Sequence, residues 1–142
     1  KIESGVVRAC YKRAIPTEAI QKTVEKIETA KILVSCGRGV KDLSPAYDVA
    51  KKLKGTVSCS RCLVDTGVLD HQRQVGQTGK TVRPDAYLAF GISGAIQHIA
   101  GMEEAEYIVA INLDKSAPIF KVANLGIVAD AVEVLKHLDK ML

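Results

Sequence analysis

The chain has 142 residues, of which 47% are hydrophobic and 25% are charged, and its formal net charge at pH 7 is +4. This composition is typical of a soluble globular domain that has a core of its own. No apolar run approaches the roughly 18–20 residues of a membrane-spanning helix, and the basic residues are scattered, which argues against a membrane span and against a nucleic-acid surface.

Residues 1–30 differ in pattern from the rest, and we predict that they form a leading segment that packs on, or links to, a domain over residues 31–142. Within this segment, residues 5–10 have the character of a strand, and a helix is predicted to begin at Thr17, a suitable N-cap. The chain opens on Lys1 instead of Met, so we expect it to begin at a domain boundary or a processed end.

From residue 31 onward, apolar runs alternate with helical patterns, and glycines mark the turns between them. Aromatic residues make up only 4% of the chain, so the core is expected to be aliphatic, and its β-branched residues favour buried parallel strands. The alternation predicts an α/β fold, a Rossmann-like, doubly wound, mainly parallel sheet with flanking helices. The predicted strands are 32–35, 56–59, 86–90, 107–111 and 126–129; the predicted helices are 45–54, capped by Ser44, then 93 or 94 to 101, and 130–142; a short element is expected at 120–122.

Polar and glycine residues fall at or just after several predicted strand ends. In parallel sheets, ligands bind beyond the carboxyl ends of the strands. These residues are therefore expected to share one cleft; they are Gly37-Arg38, Ser60-Arg61, Ser93-Gly94, Asn112 and Asp130.

Residues 65–84 show neither strand nor helix periodicity, and a long irregular loop within a compact domain is usually functional or disordered. This loop contains Q-V-G-Q-T-G-K at residues 74–80. Its glycines, amides and hydroxyl suit a planar ligand that carries phosphates. A phosphate-binding P-loop is not favoured, because Gly76 precedes Gly79 by three positions where that motif needs five.

Three further features each allow a structural and a functional interpretation. Residues 93–95 are predicted at a helix start, where free N–H groups either bind an anion or form an ordinary turn. His98, one turn later, is either a half-buried core histidine or a group that reaches a ligand. Arg61 is either half of a surface ion pair with Asp65 or a cation that faces a ligand.

The segments at 74–80 and 91–102, Q-V-G-Q-T-G-K and G-I-S-G-A-I-Q-H-I-A-G-M, resemble the flavin-binding signature of the electron transfer flavoprotein alpha subunit, in its C-terminal domain. The likeness spans roughly residues 31–142. It includes S-C-G-R-G at 35–39, Ser60-Arg61, V-A-I-N at 109–112, A-P-I-F at 117–120 and G-I-V-A-D at 126–130.

The resemblance implies FAD as the cofactor and gives several residues a place around it. The Thr78 hydroxyl is expected to hydrogen-bond near flavin N5, and Gln77 to help hold the ring. Arg61 is expected to place its charge over the flavin, and His98 to approach the pyrimidine O2, as a neutral or a charged imidazole. These groups would favour negative charge on the reduced flavin.

The remaining implied contacts lie toward the phosphates and the adenosine. Arg38 is expected near the phosphates and ribose, and Asn112 and Asp130 on the adenosine side, although Asp130 could equally cap the final helix. The complete set of cofactor-binding residues that the resemblance implies is Arg38, Ser60, Arg61, Val75, Gly76, Gln77, Thr78, Ser93, Gly94, Ala95, Ile96, Gln97, His98, Asn112, Asp130 and Ala131.

The function implied by the resemblance is electron transport without a substrate-converting side chain. The expected partners are a beta subunit in a heterodimer, dehydrogenases that donate electrons and a downstream acceptor. The expected compartment is the cytoplasm in a prokaryote or the mitochondrial matrix in a eukaryote. Two alternatives are an enzyme that uses NAD or another nucleotide on the same scaffold, with His71 as a spare acid or base, and an interaction domain that has lost its cofactor.

The four cysteines include a C-x-x-C pair, Cys59 and Cys62. A zinc site needs two more ligands, and neither Cys10 nor Cys36 belongs to a second such pair. We therefore expect no metal site, and reduced thiols in an intracellular compartment.

Overall fold

The computed structural model describes residues 26–142, and its centre is a five-stranded sheet in which every pair of neighbouring strands is parallel. This confirms the predicted α/β class. The strands are β1 (Ile32–Cys36), β2 (Thr56–Cys59), β3 (Ala86–Phe90), β4 (Tyr107–Asn112) and β5 (Leu125–Val128). The helices are α1 (Ser44–Leu53), α2 (Arg61–Asp65), α3 (Ile96–Ala100) and α4 (Ala131–Met141).

Three short 3₁₀ turns complete the described elements, at Ile27–Thr29, His71–Arg73 and Pro118–Lys121. The strand predicted at residues 5–10 and the start of the helix predicted at Thr17 lie outside the described residues.

Alternate residues of each strand point to opposite sides of the sheet, and both sides are largely buried along β1 to β4, whereas all four residues of the edge strand β5 are exposed. On β1, Val34 packs into a cluster that includes Val49 of α1 and Leu135 of α4. Its neighbour Leu33 packs into a second cluster on the other face, with Tyr87 of β3. Because β1 to β4 pack apolar side chains on both sides, they read as nearly continuous apolar runs.

The strand order is β2-β1-β3-β4-β5. After β1 the chain crosses to the outer strand β2, and it then returns to β3 on the other side of β1. The loops that follow β1 and β3 therefore leave the sheet edge in opposite directions, and the gap between them is the usual ligand crevice of a doubly wound sheet.

Glycines let the two loops approach closely at that crevice. Gly39 N–H donates to the Gly91 carbonyl at 3.2 Å. Gly91 has a φ of +67°, and a Cβ there would lie 2.8 Å from Gly39 Cα. Any larger residue at position 91 would push the loops apart.

Several element boundaries differ from the sequence prediction. Ser44 is the first residue of α1 and not its cap, and the helix ends at Leu53, one residue earlier than predicted, because its C-cap Lys54 has a φ of +59°. Helix α3 begins at Ile96, later than predicted, because Gly94 has a φ of +88°, which no helix accommodates. Helix α2 had not been predicted at all.

No helix within residues 26–142 has the length and apolar character needed to cross a membrane.

Candidate functional site

A cavity of about 560 Å³ lies at the carboxyl ends of the strands, in the crevice between the loops after β1 and β3. Its lining comes from residues 38–39 after β1, 60–62 after β2, 91–95 after β3 and Asn112 at the end of β4. Residues 74–78 close another side. Separate strand ends therefore converge on one cleft, as their positions in the sequence predicted.

The structure brings thirteen of the sixteen predicted site residues together around this cavity. They are Arg38, Ser60, Arg61, Val75, Gly76, Gln77, Thr78, Ser93, Gly94, Ala95, Gln97, His98 and Asn112.

The other three predicted residues do not line the cavity. Ile96 is 82% exposed at the start of α3, and Ala131 is buried in the α1–α4 cluster. Asp130 is the N-cap of α4, since its carboxylate accepts from Val132 N at 2.9 Å and from Glu133 N at 3.1 Å. The capping role that the sequence left open for Asp130 is therefore the one observed.

The 74–80 segment is held by backbone hydrogen bonds, although the sequence showed no periodicity there. Val75 N–H donates to the Cys59 carbonyl at 2.9 Å, so the segment pairs in parallel with the end of β2. Lys80 N–H donates to the Gln74 carbonyl at 2.8 Å, and Gln77 N–H to the Gln97 carbonyl at 2.8 Å. The loop is thus tied both to the sheet and to α3.

Two side chains hold Thr78 at the cavity. The buried Gln74 donates from Nε2 to Thr78 Oγ1 at 2.8 Å. His71 Nε2 lies 3.1 Å from the Thr78 carbonyl oxygen. Because a hydroxyl can accept and donate at once, Thr78 keeps its own proton for a ligand acceptor.

His98 forms part of the buried wall, with only 7% of its surface exposed. Its Nε2 lies 2.7 Å from the Tyr87 hydroxyl, which lies 2.7 Å from Ser35 Oγ. Within residues 26–142, Nδ1 has no hydrogen-bond partner. Burial lowers the pKa of His98 to about 4, an effect that the Val75 backbone opposes. The imidazole is therefore neutral at physiological pH.

Arg61 fits both interpretations left open by the sequence. It lines the cavity as the first residue of α2, and its Nε lies 3.3 Å from Asp65 Oδ2 one turn later. Both side chains are more than half exposed, at 69% and 61%. Such a pair contributes roughly 0.2–1 kcal/mol to stability, so the guanidinium is only weakly held.

His71 and the buried cysteines Cys36 and Cys59 do not line this cavity. His71 is engaged with the loop backbone. Burial raises the pKa of the Cys36 and Cys59 thiols to about 12, whereas Cys62 is exposed at the cavity edge. Across the described part of the chain, no group of His, Cys, Asp and Glu residues is placed to hold a metal ion.

The lining also includes residues that were not predicted as cofactor contacts. Gln74 and Gly91 border predicted residues within the same motifs and could have been found from that position. Asp114 and Ala117 reach the cavity because Ile119 N–H donates to the Ser93 carbonyl at 2.9 Å, a tertiary contact without a local sequence signal. The remaining additional residues are Gly39, Cys62, Asp65 and Ile92.

The sequence of this chain matches a family described as the electron transfer flavoprotein FAD-binding domain, over residues 26–103. The matched range includes β1 to β3, the 74–80 segment and α3, and thus most of the cavity lining.

Individual relatives extend this similarity beyond residue 103. The chain is 44% identical over 140 residues to the electron transfer flavoprotein subunit alpha of Pseudomonas aeruginosa, an alignment that covers 96% of this chain and 45% of that protein. It is 46% identical over 144 residues to the subunit alpha of Bacillus subtilis, covering 98% and 44%. It is 50% identical over 119 residues to a probable mitochondrial subunit alpha of Caenorhabditis elegans, covering 82% and 36%. The chain thus spans less than half the length of these relatives.

Proposed function

This chain belongs to the electron transfer flavoprotein alpha family, whose matched part is the FAD-binding domain, and we propose that its cavity holds FAD in a protein that carries electrons between other proteins. The observation that supports this proposal best is the convergence of thirteen predicted flavin-binding residues on one cleft, at the crevice of a doubly wound sheet.

The cavity has the properties that FAD requires. Its volume of about 560 Å³ lies within the roughly 300–1,000 Å³ that is usual for cofactor sites. Glycines at its edges leave backbone exposed to a ligand, and Arg38 and Arg61 supply positive charge for phosphates. The buried His98 Nδ1 lacks a hydrogen-bond partner in the described chain, which a polar ligand atom would satisfy.

Each region of the cavity would have a distinct task. The backbone at 93–95 and Arg38 would bind the phosphates, and Thr78 and Gln77 would hold the flavin ring, with Thr78 donating its hydroxyl proton. His98 would supply a polar, uncharged edge, and Arg61 a positive charge at the rim. FAD itself supplies the redox chemistry, while the protein supplies binding, orientation and electrostatics.

The titratable groups of the cavity favour an electron carrier over a substrate-converting enzyme. Asp65 pairs with Arg61, and Asp114 accepts from both the backbone N–H and the hydroxyl of Ser116, which lowers the pKa of its carboxyl. His98 is engaged with Tyr87. Asp65, Asp114 and one ring nitrogen of His98 thus have internal partners, which favours roles in binding and electrostatics for these groups.

We further propose the partners and the compartment that the relatives suggest. The names of the relatives identify them as alpha subunits, which implies a beta subunit in a heterodimer, with dehydrogenases as donors and a downstream acceptor. The setting would be the cytoplasm in a prokaryote or the mitochondrial matrix in a eukaryote. Residues 1–30 would form a leading segment that packs on, or links to, the FAD-binding domain of residues 31–142; packing of its described end, residues 26–30, is supported by Ile27, which is fully buried in the core.

Binding of FAD to the full 142-residue chain tests this proposal. We expect flavin fluorescence to change on titration and the melting temperature to rise with FAD but not with NAD. Thr78→Ala and Arg61→Ala should each weaken FAD binding several-fold. Thr81→Ala and Arg83→Ala are matched controls, because both residues are exposed near the same loop and outside the cavity lining. A melting temperature that rises with NAD but not with FAD would overturn the proposal. Wild-type FAD affinity in both Thr78→Ala and Arg61→Ala would overturn it as well.

A further inference from the structure

The loop after β3, residues 91–95, is held through its carbonyl groups by the segment at the end of β4 and just after it. The Ile92 carbonyl accepts from Asn112 Nδ2 at 2.9 Å. The next carbonyl along the chain, that of Ser93, accepts from the N–H of the buried Ile119 at 2.9 Å. These two hydrogen bonds fix two successive peptide groups of the loop.

The N–H groups of the same two peptides are left free. The C=O and N–H of a trans peptide point in opposite directions, so the bond to the Ile92 carbonyl turns the Ser93 N–H away from Asn112. The bond to the Ser93 carbonyl likewise turns the Gly94 N–H away from Ile119. Within residues 26–142, neither N–H takes part in a hydrogen bond, and Ser93 and Gly94 both line the cavity. Successive free N–H groups are a common way for a loop to bind an anion.

The orientation of the Asn112 amide follows from its two backbone partners. Nδ2 faces the Ile92 carbonyl oxygen, which can only accept, and Oδ1 accepts from Asp114 N–H at 2.9 Å. Exchanging the amide nitrogen and oxygen would set two acceptors against each other at one end and two donors at the other, so one orientation alone satisfies both contacts. Asn112 therefore joins the loop after β3 to the turn after β4.

We infer that Asn112 is a positioning residue, which holds the 91–95 loop in the conformation that leaves the N–H groups of Ser93 and Gly94 free for a phosphate-carrying ligand. The inference rests on the proposed function, because it concerns how the phosphates of FAD are bound. Asn112 lines the cavity, but both ends of its amide already contact the backbone, so its effect on the ligand passes through the loop. This role differs from the adenosine contact that the resemblance implied for the same residue.

Amide hydrogen exchange in the FAD-free, full-length chain tests the positioning role. The Ile119 N–H reports on the loop because it is bonded to the Ser93 carbonyl, and the amides of β3 report on global opening. Asn112→Leu keeps a side chain of similar size and removes the donor to Ile92. The protection of the Ile119 amide, relative to that of the β3 amides, should then fall about tenfold, in line with the loss of one partly buried hydrogen bond.

Asn124→Leu is the matched control, because it removes a comparable hydrogen bond at the other end of β4. Asn124 Oδ1 accepts from Ile108 N–H at 2.8 Å, and Asn124 does not line the cavity. This variant should leave the relative protection of the Ile119 amide unchanged. An equal loss of that protection in Asn124→Leu would overturn the inference, since the loss would then reflect general loosening.

Asn112→Asp separates the two contacts of the amide, and it also serves if Asn112→Leu does not fold. Its carboxylate can still accept from Asp114 N–H but has no hydrogen to donate to the Ile92 carbonyl. The relative protection of the Ile119 amide should therefore fall in this variant as well. Wild-type protection in Asn112→Asp, or in a folded Asn112→Leu, would overturn the inference.

FAD titration gives an independent readout. Asn112→Leu should weaken FAD binding about tenfold, whereas Asn124→Leu should bind with wild-type affinity. The absorption spectrum of the bound flavin should stay that of the wild type, because Thr78 keeps its contacts at the ring end of the cavity. Wild-type FAD affinity in Asn112→Leu, or a changed flavin spectrum, would overturn the inference. If the chain binds no FAD but the exchange result holds, the proposed function fails and the role of Asn112 in holding the loop stands.

Discussion

The two walls of the cavity are built differently. The inner wall contains Gln74, Val75 and His98, which are buried and tied by hydrogen bonds to the sheet, the loop or one another. The outer rim contains Arg61 and Asp65, whose only described partners are each other and whose side chains are mostly exposed. One wall is therefore fixed before a ligand arrives, and the other is free to adjust.

This difference separates folding from binding. A polar group in the inner wall is costly to leave unpaired, so changing it should reduce the free energy of unfolding as well as ligand affinity. A rim side chain contributes little to the folded state, so changing it should alter ligand affinity alone. From the inner wall to the outer rim, substitutions should therefore cause progressively smaller losses in the free energy of unfolding.

The largest loss is expected for Gly94→Ala, at the inner end of the cavity. Gly94 has a φ of +88°, and a Cβ there would lie 2.5 Å from Ile119 N. Backbone strain and overpacking together should cost about 3 kcal/mol. Gly67→Ala is the matched control, because Gly67 has a φ of +77° with nothing within 4 Å of the added Cβ, so strain alone should cost about 1 kcal/mol. Urea unfolding measures both, and equal losses would contradict the steric argument.

A pH-dependent loss of nearly the same size is expected from His98. The folded-state pKa is lowered from the ordinary value of 6.5 to about 4. Between these values the unfolded chain binds the extra proton, so the free energy of unfolding falls as the pH drops from 6.5 to 4, by on the order of 3 kcal/mol in total. His98→Gln should flatten this slope, whereas His137→Gln, on the exposed face of α4, should retain it. A wild-type slope in His98→Gln would show that other groups cause the acid sensitivity.

The sequence predicted the inner scaffold better than the details that distinguish the two walls. Strand positions agreed within one or two residues, because buried parallel strands are continuous apolar runs that stand out from their surroundings. Helix α2 could not be distinguished from a loop, because five residues with one i,i+4 ion pair carry little periodicity. The local sequence also did not indicate that the 74–80 segment is held in one conformation, because the hydrogen bonds that hold it reach Cys59 and Gln97, which are distant in sequence.

The candidate site was predictable largely through its motif resemblance. Thirteen of the implied residues lie around one cavity, but which of them are fixed and which are exposed depends on partners distant in sequence. Tyr87 lies 52 residues from Ser35 and 11 from His98, and the sequence analysis placed it only within an apolar strand. Asp130 had two equally good interpretations, and only the positions of the α4 amides identified the cap.

A moderate loss is expected for Gln74→Leu in the inner wall. This change removes the 2.8 Å hydrogen bond to Thr78 Oγ1 and should reduce the free energy of unfolding by about 1 kcal/mol. Thr78 would lose its orientation, so FAD affinity should fall as well. Gln72→Leu, at an exposed position in the preceding turn, controls for the change of side chain. If Gln74→Leu matched Gln72→Leu in both measurements, the inner wall would not be preorganised at this point.

The smallest effect on stability is expected at the rim. Arg61→Ala and Asp65→Ala should each change the free energy of unfolding by no more than about 0.5 kcal/mol, because the pair they break is exposed. Their effects on FAD affinity should have opposite signs. Removing Arg61 takes away positive charge, whereas removing Asp65 frees the guanidinium and removes a negative charge from the cavity edge. Titrations at low and high salt should show both effects shrinking as salt screens them. If both variants bound FAD with wild-type affinity at low salt, the rim would have no part in binding, and the inner wall alone would define the site.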